Sequence, residues 1–134
     1  MDQAPDTPFF PGKALIDAYG NGGFRFAEMS HRGSILCLPS GIYAWPPSKF
    51  EDLSISDFNR VFTEAGEIEF VLLGCGDGLR HPPSDIRDAF RDHDTGLETM
   101  GTGAAARTYN VLLGERRAVA AALIAVSDPA GSRT

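Results

Sequence analysis

The sequence predicts an α/β domain, and three adjoining features carry that reading. The apolar run Ile68, Phe70, Val71, Leu72, Leu73 is short, rich in bulky residues and bounded by glycine, which suits a strand buried on both faces. It empties into a glycine loop, Gly74, Cys75, Gly76, Asp77, Gly78, and then into a helical segment, Pro82 to His93, whose prolines fall where a missing N–H is harmless. A second short strand, Leu97 to Met100, follows, so the three pieces form one βαβ unit with parallel strands. Ligands of open α/β sheets sit at the carboxyl ends of such strands, which places a candidate crevice at residues 74–81.

The remaining elements follow in chain order. Residues 1–12 carry Pro5, Pro8 and Pro11 and are expected to be a disordered or loosely docked tail, with Phe9 and Phe10 as its anchors. Lys13 to Tyr19 is expected to be a strand entering the reversal Gly20, Asn21, Gly22, Gly23. The next strand places Phe24, Phe26 and Glu28 on one side and Arg25, Ala27 and Met29 on the other. Ser30, His31, Arg32, Gly33 reads as a turn, Ser34 to Leu38 as a strand, Pro39, Ser40, Gly41 as a turn and Ile42 to Trp45 as a strand. The first third is thus a β-meander.

Pro46 and Pro47 end the pairing. A helix is then expected from Ser54 or Ser56, with Asp57 in a capping-box position. Its apolar stripe is Phe58, Val61, Phe62, Ala65, and Gly66 is expected as a left-handed C-terminal cap. In the second helix Ile86, Ala89 and Phe90 form the buried stripe. A third helix, Ala104 to about Leu113, turns Ala105, Tyr109, Leu112 and Leu113 inward and ends at Gly114. For Val119 to Val126 the alanines favour helix, while length, flanks and β-branched residues fit a buried strand equally well. The organisation expected is a tail over 1–12, one domain over 13–127 and a frayed end over 128–134.

Composition narrows the function. Twelve Lys and Arg stand against 18 Asp and Glu, a net charge of −6, which disfavours nucleic-acid binding and docking to an anionic membrane. No apolar run approaches a membrane span, so no direct membrane insertion is expected. The acidic, proline-rich start lacks the basic end of a secretory signal and the arginines of a mitochondrial presequence, and a cytoplasmic location follows. In that compartment Cys37 and Cys75 are expected as free thiols.

Two constellations lie where a site belongs. Gly74, Cys75, Gly76 resembles the start of a dinucleotide fingerprint, but the third glycine would fall at Leu79 and no helix follows directly, so the glycines read better as a tight strand exit. Thr102 and Gly103, at the start of the third helix, would share an edge with Gly74 if the two strands are parallel. Exposed amides there, with Arg80 and Arg107 near, would suit a carboxylate or phosphate. The competing reading is that Thr102 caps the helix and the arginines pair with acids. Cys75 could be a nucleophile with His81 as base, but no third group orients them, and a buried, inert thiol fits better. No histidine lies at metal-ligand spacing, so neither a metal nor a cofactor is expected.

Several stretches together resemble the Mth938-domain (DUF498) family. They are Leu38-Pro39-Ser40-Gly41-Ile42 with Trp45-Pro46, Leu72-Leu73-Gly74-Cys75-Gly76, and Gly101-Thr102-Gly103 running on through Arg107-Thr108-Tyr109-Asn110 to Leu123. The resemblance implies a three-layer α/β fold, a mixed central sheet with a β-meander layered against it, and a final segment that is a strand. It also implies kinship with factors that assemble respiratory complex I, hence a protein partner in a respiratory or membrane complex and no established catalysis. It supplies no catalytic residues. Arg107 and Asn110 lie on one helix face (i, i+3) and could line a ligand pocket or tie the helix to neighbouring loops, the latter being the reading preferred. The candidate ligand residues are therefore Gly74, Cys75, Gly76, Arg80, Thr102, Gly103, Arg107 and Asn110. The leading functional expectation is a non-enzymatic interaction or assembly protein, and the rival is a small-anion binder or enzyme.

Overall fold

The computed structural model describes residues 8–127, so the expectations for residues 1–7 and 128–134 lie outside it; of the tail expected over 1–12, Phe10–Pro11 is instead a strand paired with Ile42 and Gly41, and the Phe9 and Gly12 amides extend that ladder. Nine strands and three α-helices make up the described chain. A six-stranded mixed sheet has the order β1-β6-β5-β9-β7-β8, and a separate antiparallel sheet has the order β2-β3-β4. The strands of the large sheet are β1 (Phe10–Pro11), β5 (Ser34–Leu38), β6 (Gly41–Trp45), β7 (Phe70–Gly74), β8 (Gly96–Met100) and β9 (Val119–Leu123). The small sheet holds β2 (Ala18–Gly20), β3 (Gly23–Phe26) and β4 (Met29–Arg32). Helices α1 (Asn59–Thr63) and α2 (Ser84–Asp92) lie on one side of the large sheet, α3 (Thr102–Gly114) with the small sheet on the other.

The expected parallel pair is present: β7 pairs with β8 in register from Phe70↔Gly96 to Gly74↔Met100, and β7 also pairs in parallel with β9. From β7 the chain crosses through α2 to a neighbour on one side, then through α3 to β9 on the other side of β7. Because the direction reverses, two crossovers of the same hand must occupy opposite faces of the sheet, as α2 and α3 do. One apolar layer therefore gathers Trp45, Phe58, Val71, Leu73, Ile86 and Phe90, and the other gathers Phe26, Ile35, Leu72, Ala105, Tyr109 and Leu123.

The ambiguous segment near 120 is a strand because of where it sits. Between β5 and β7, Ala120, Ala121 and Ala122 are fully buried, and ladder bonds on both sides outweigh the helical preference of alanine. Ala121, the one of the three on the α3 side, also lets that helix approach through its own Gly103, Ala105 and Ala106, all buried.

Four local expectations are corrected. Residues 13–17 are irregular and the strand is confined to Ala18–Gly20, with the Asp17 amide adding one bond to the Arg25 carbonyl at 2.8 Å. The strand from Phe24 does not continue through Met29: Ala27 and Glu28, at φ 50° and 62°, form a tight hairpin turn that makes Met29–Arg32 a returning strand, not a turn. Alanine and glutamate lack the Asn-Gly chemistry that marks such a turn, as Asn21 and Gly22 (φ 54° and 78°) do mark the preceding one. Gly66 lies in a 3-10 turn, Ala65–Glu67, at an ordinary negative φ, and caps nothing in the left-handed region. Finally, the helix expected from Ser54 begins as a 3-10 turn, Ile55–Phe58, before α1. The capping contact is made, with the Ser54 amide donating to Asp57 Oδ2 at 2.9 Å.

Candidate functional site

The crevice belongs at the carboxyl ends of β7 and β8, whose following helices depart to opposite faces of the sheet. There the chain closes on itself. Gly74 has no room for a side chain: a Cβ would lie 3.0 Å from both Thr102 Cα and Leu123 Cδ2, so glycine is what lets the start of α3 seat against β7. Thr102, fully buried, ties three elements together. Its amide donates to the Gly76 carbonyl at 2.8 Å, its hydroxyl accepts the Gly76 amide at 3.0 Å, and the same hydroxyl donates to the Ile124 carbonyl at 2.6 Å. Gly76 reaches this position at φ 104°, in the left-handed region. The loop after it lies against Gly101, where a Cβ would be 3.5 Å from the Gly76 and Asp77 carbonyls and from Gly78 Cα. The first amide of α3 thus faces a backbone carbonyl of its own chain, where an anion would need an unoccupied donor.

Cys75 is buried, its Sγ 3.5 Å from the Arg80 carbonyl and 3.7 Å from that of Leu73. Burial pushes its thiol above the ordinary value, opposed by smaller effects of hydrogen bonding and of Arg80. His81 is exposed and lines a different hollow, beside α2 and β8. No hydrogen bond joins it to Cys75 among the described residues. A thiol held protonated, with no base in contact, is a packing group and not a nucleophile. Cys37, also free and fully buried, is likewise shifted upward by desolvation.

Beside the filled crevice, toward β9, a hollow of about 340 Å³ remains, lined by Lys49, Phe50, Glu51, Cys75, Gly76 and Arg80 among others. Arg80 does not point a free charge into it. Its guanidinium donates to Glu51 Oε2 at 2.9 Å and lies 4.6 Å over the Phe50 ring. The Glu51 carboxyl is held below its ordinary value, first by a hydrogen bond with its own backbone and then by Arg80. The segment 48–52 that supplies these partners carries no sequence signal of its own. The prolines that precede it, of which Pro47 is buried, were its one visible cue.

The eight candidate residues therefore separate. Gly74, Cys75, Gly76, Arg80 and Thr102 gather at the strand exits, with Gly103 buried in the first turn of α3. Arg107 and Asn110 lie elsewhere, beside Ile16, Asp17 and Tyr19. Asn110 makes a reciprocal pair with one residue: Oδ1 accepts the Ile16 amide and Nδ2 donates to the Ile16 carbonyl, each at 2.8 Å. This is the tie from helix to loop preferred on sequence grounds, and it gives an irregular segment the partners a strand would have supplied. Arg107 is exposed and forms no ion pair among the described residues. The described residues also contain no group of three potential metal ligands.

Residues 16–124, from the pinned Ile16 to the Ile124 that Thr102 holds, match the family described as proteins of unknown function, DUF498/DUF598. The chain belongs to the DUF498/DUF598 family. A structure of an outer membrane protein from Bartonella henselae is similar at 54% identity and TM-score 0.83, covering 88% of this chain and 99% of that one. A Mth938-like domain from Bordetella pertussis, 24% identical with TM-score 0.74 over 96% of this chain and 95% of that one, shares the fold. The human NADH dehydrogenase (ubiquinone) 1 alpha subcomplex assembly factor 3 is 29% identical over 109 residues, 81% of this chain. This DUF498/DUF598 chain spans 59% of that relative's length. No helix among its described residues is long and apolar enough to cross a membrane.

Proposed function

We propose that the protein is a non-catalytic assembly factor that works by holding another protein, a subunit of a membrane-associated respiratory dehydrogenase, during its construction. The reading rests first on kinship, because the relatives named as NADH dehydrogenase assembly factors align over more than four fifths of this chain. One structural observation supports it: at the β7 and β8 exits, where an α/β enzyme keeps its ligand, Thr102 and the 76–78 loop bond to each other and seat the start of α3 against β7, and the hollow of about 340 Å³ left beside them offers no ready nucleophile. The thiol there is buried with its pKa shifted upward, and Arg80 is paired with Glu51 and laid over the Phe50 ring. A cytoplasmic location and a partner that is protein, not nucleic acid, complete the proposal, in keeping with the net charge of −6.

Deleting the gene and resolving solubilised membranes on native gels tests it. The expected result is loss of the full-size NADH dehydrogenase and accumulation of a smaller intermediate, restored by the wild-type chain. Unchanged dehydrogenase assembly and activity in the deletion strain refutes the proposal.

A further inference from the structure

β8 is the outermost strand of the large sheet and has no outer partner among the described residues. The Gly96 amide donates to the Glu69 carbonyl at 3.2 Å and the Met100 carbonyl accepts from the Cys75 amide at 2.8 Å, so Gly96, Glu98 and Met100 turn their backbone groups toward β7. Alternation along the strand leaves the N–H and C=O of Leu97 and Thr99 directed outward. The side chains alternate as well. Leu97 packs into the layer containing Phe90 of α2, and Met100 into the layer containing Tyr109 of α3. Thr99 therefore shares the α2 side with Leu97, and exposed Glu98 shares the α3 side with Met100.

On the α2 side the edge borders a hollow of about 540 Å³ between β8 and α2. Leu97, Thr99 and Phe90 are apolar or neutral components of its wall. Arg87 and Arg91 contribute to it against a single lining carboxylate, Asp94, in a chain whose overall charge is negative. Arg87 has no ion pair among the described residues. The pair of Arg91 with Asp88, 2.7 Å long, is largely exposed and weak.

We infer that this edge receives an extended segment of a partner protein by strand addition. The segment carries acidic side chains on the face turned to Arg87 and Arg91 and a basic side chain opposite Glu98. Main-chain bonds from Leu97 and Thr99 would supply affinity, and the two faces of opposite charge would set the register. A second copy of this chain is the poorer occupant. Antiparallel pairing centred on the strand sets Glu98 against Glu98, and like charges directly opposite oppose pairing. The docking mode is independent of the assembly role, because strand addition at β8 needs no knowledge of what is being assembled.

The test uses the full-length chain and two synthetic peptides, acetyl-Thr-Val-Asp-Lys-Asp-Val-Thr-amide and its charge-swapped form acetyl-Thr-Val-Lys-Asp-Lys-Val-Thr-amide, titrated to millimolar concentration while amide shifts and exchange are followed by NMR. The first peptide is expected to protect the Leu97 and Thr99 amides and to bind about tenfold more tightly than the second. Thr99→Pro removes an N–H that no ladder uses and should abolish the protection while preserving the fold. Where that variant fails to fold, the exposed pair Arg87→Glu with Arg91→Glu should invert the peptide preference. Four results would overturn the inference: no saturable change at β8, equal binding of both peptides, shifts centred elsewhere, or concentration-dependent protection of Leu97 and Thr99 without peptide. The last assigns the edge to a second copy.

Discussion

Replacing Thr102 by valine keeps the shape of the side chain and removes the hydroxyl that joins the β7 exit, α3 and β9. Two backbone groups then lose their partner, the buried Ile124 carbonyl and the part-buried Gly76 amide. Leaving a buried polar group unpaired costs about 1–3 kcal/mol, with Ile124 toward the upper end and Gly76, which water can reach, toward the lower. The added methyl returns about 0.8 kcal/mol by burial. The net loss expected is therefore about 3 kcal/mol, large against the 5–15 kcal/mol that stabilises a typical domain, and worth roughly 10 °C in Tm. Thr102→Ser keeps the hydroxyl, deletes one methyl and should lose only about 1 kcal/mol. Urea unfolding of the three chains, at equal m values, measures both differences. Thr102→Val matching wild type, or falling no further than Thr102→Ser, would refute the claim that this hydroxyl closes the crevice.

Three further outcomes are expected. Asn110→Leu removes both bonds to Ile16 and should destabilise by about 2 kcal/mol in the same urea assay, with amide exchange at Ile16 accelerating before the rest of the domain. Arg107→Ala, at an exposed position, should stay within about 0.5 kcal/mol of wild type; a loss of several times that would reveal a partner for the guanidinium. For the thiols, neither Cys37 nor Cys75 should react with a disulfide reagent at neutral pH until the chain unfolds. Both are shifted upward in the fold, so the unfolded chain releases its protons first. That stability contribution is complete below about pH 8.5 and falls as pH rises above it, a decline that Cys37→Ala should reduce in urea melts at alkaline pH.

Much of this fold was legible because hydrophobic period and glycine placement agree with it from 68 to 114. The apolar run became β7, Pro83 stands immediately before α2, and α3 spans the segment read as helical. What escaped was decided by tertiary context. Ala27 and Glu28 turn the chain without turn residues, because pairing of Phe26 with Met29 holds them in the left-handed region. The alanines of β9 form a strand only because strands flank them on both sides, and a family resemblance was needed to anticipate it. Ile16 is fixed by a side chain 94 residues away, which no local pattern reports.

The candidate site was half legible. Parallel pairing of β7 and β8 brings Gly74, Gly76 and Thr102 together, as the βαβ reading required. That their meeting fills the crevice depends on the φ of Gly76 and the rotamer of Thr102, which the sequence does not encode locally. Arg80 finds Glu51, from a segment far upstream, and not the nearby Asp77 or Glu98.

Hydrogen exchange at two amides tests the closure most directly. The Thr102 amide, buried and bonded to the Gly76 carbonyl, should exchange only through global unfolding, as slowly as the core of β7, and the part-buried Gly76 amide, bonded to Thr102 Oγ1, should be protected well above exposed loop amides. Exchange at either amide as fast as at exposed Gly78 would mean that the strand exits stand open, and the ligand-binding reading of this crevice would take precedence over the one given above.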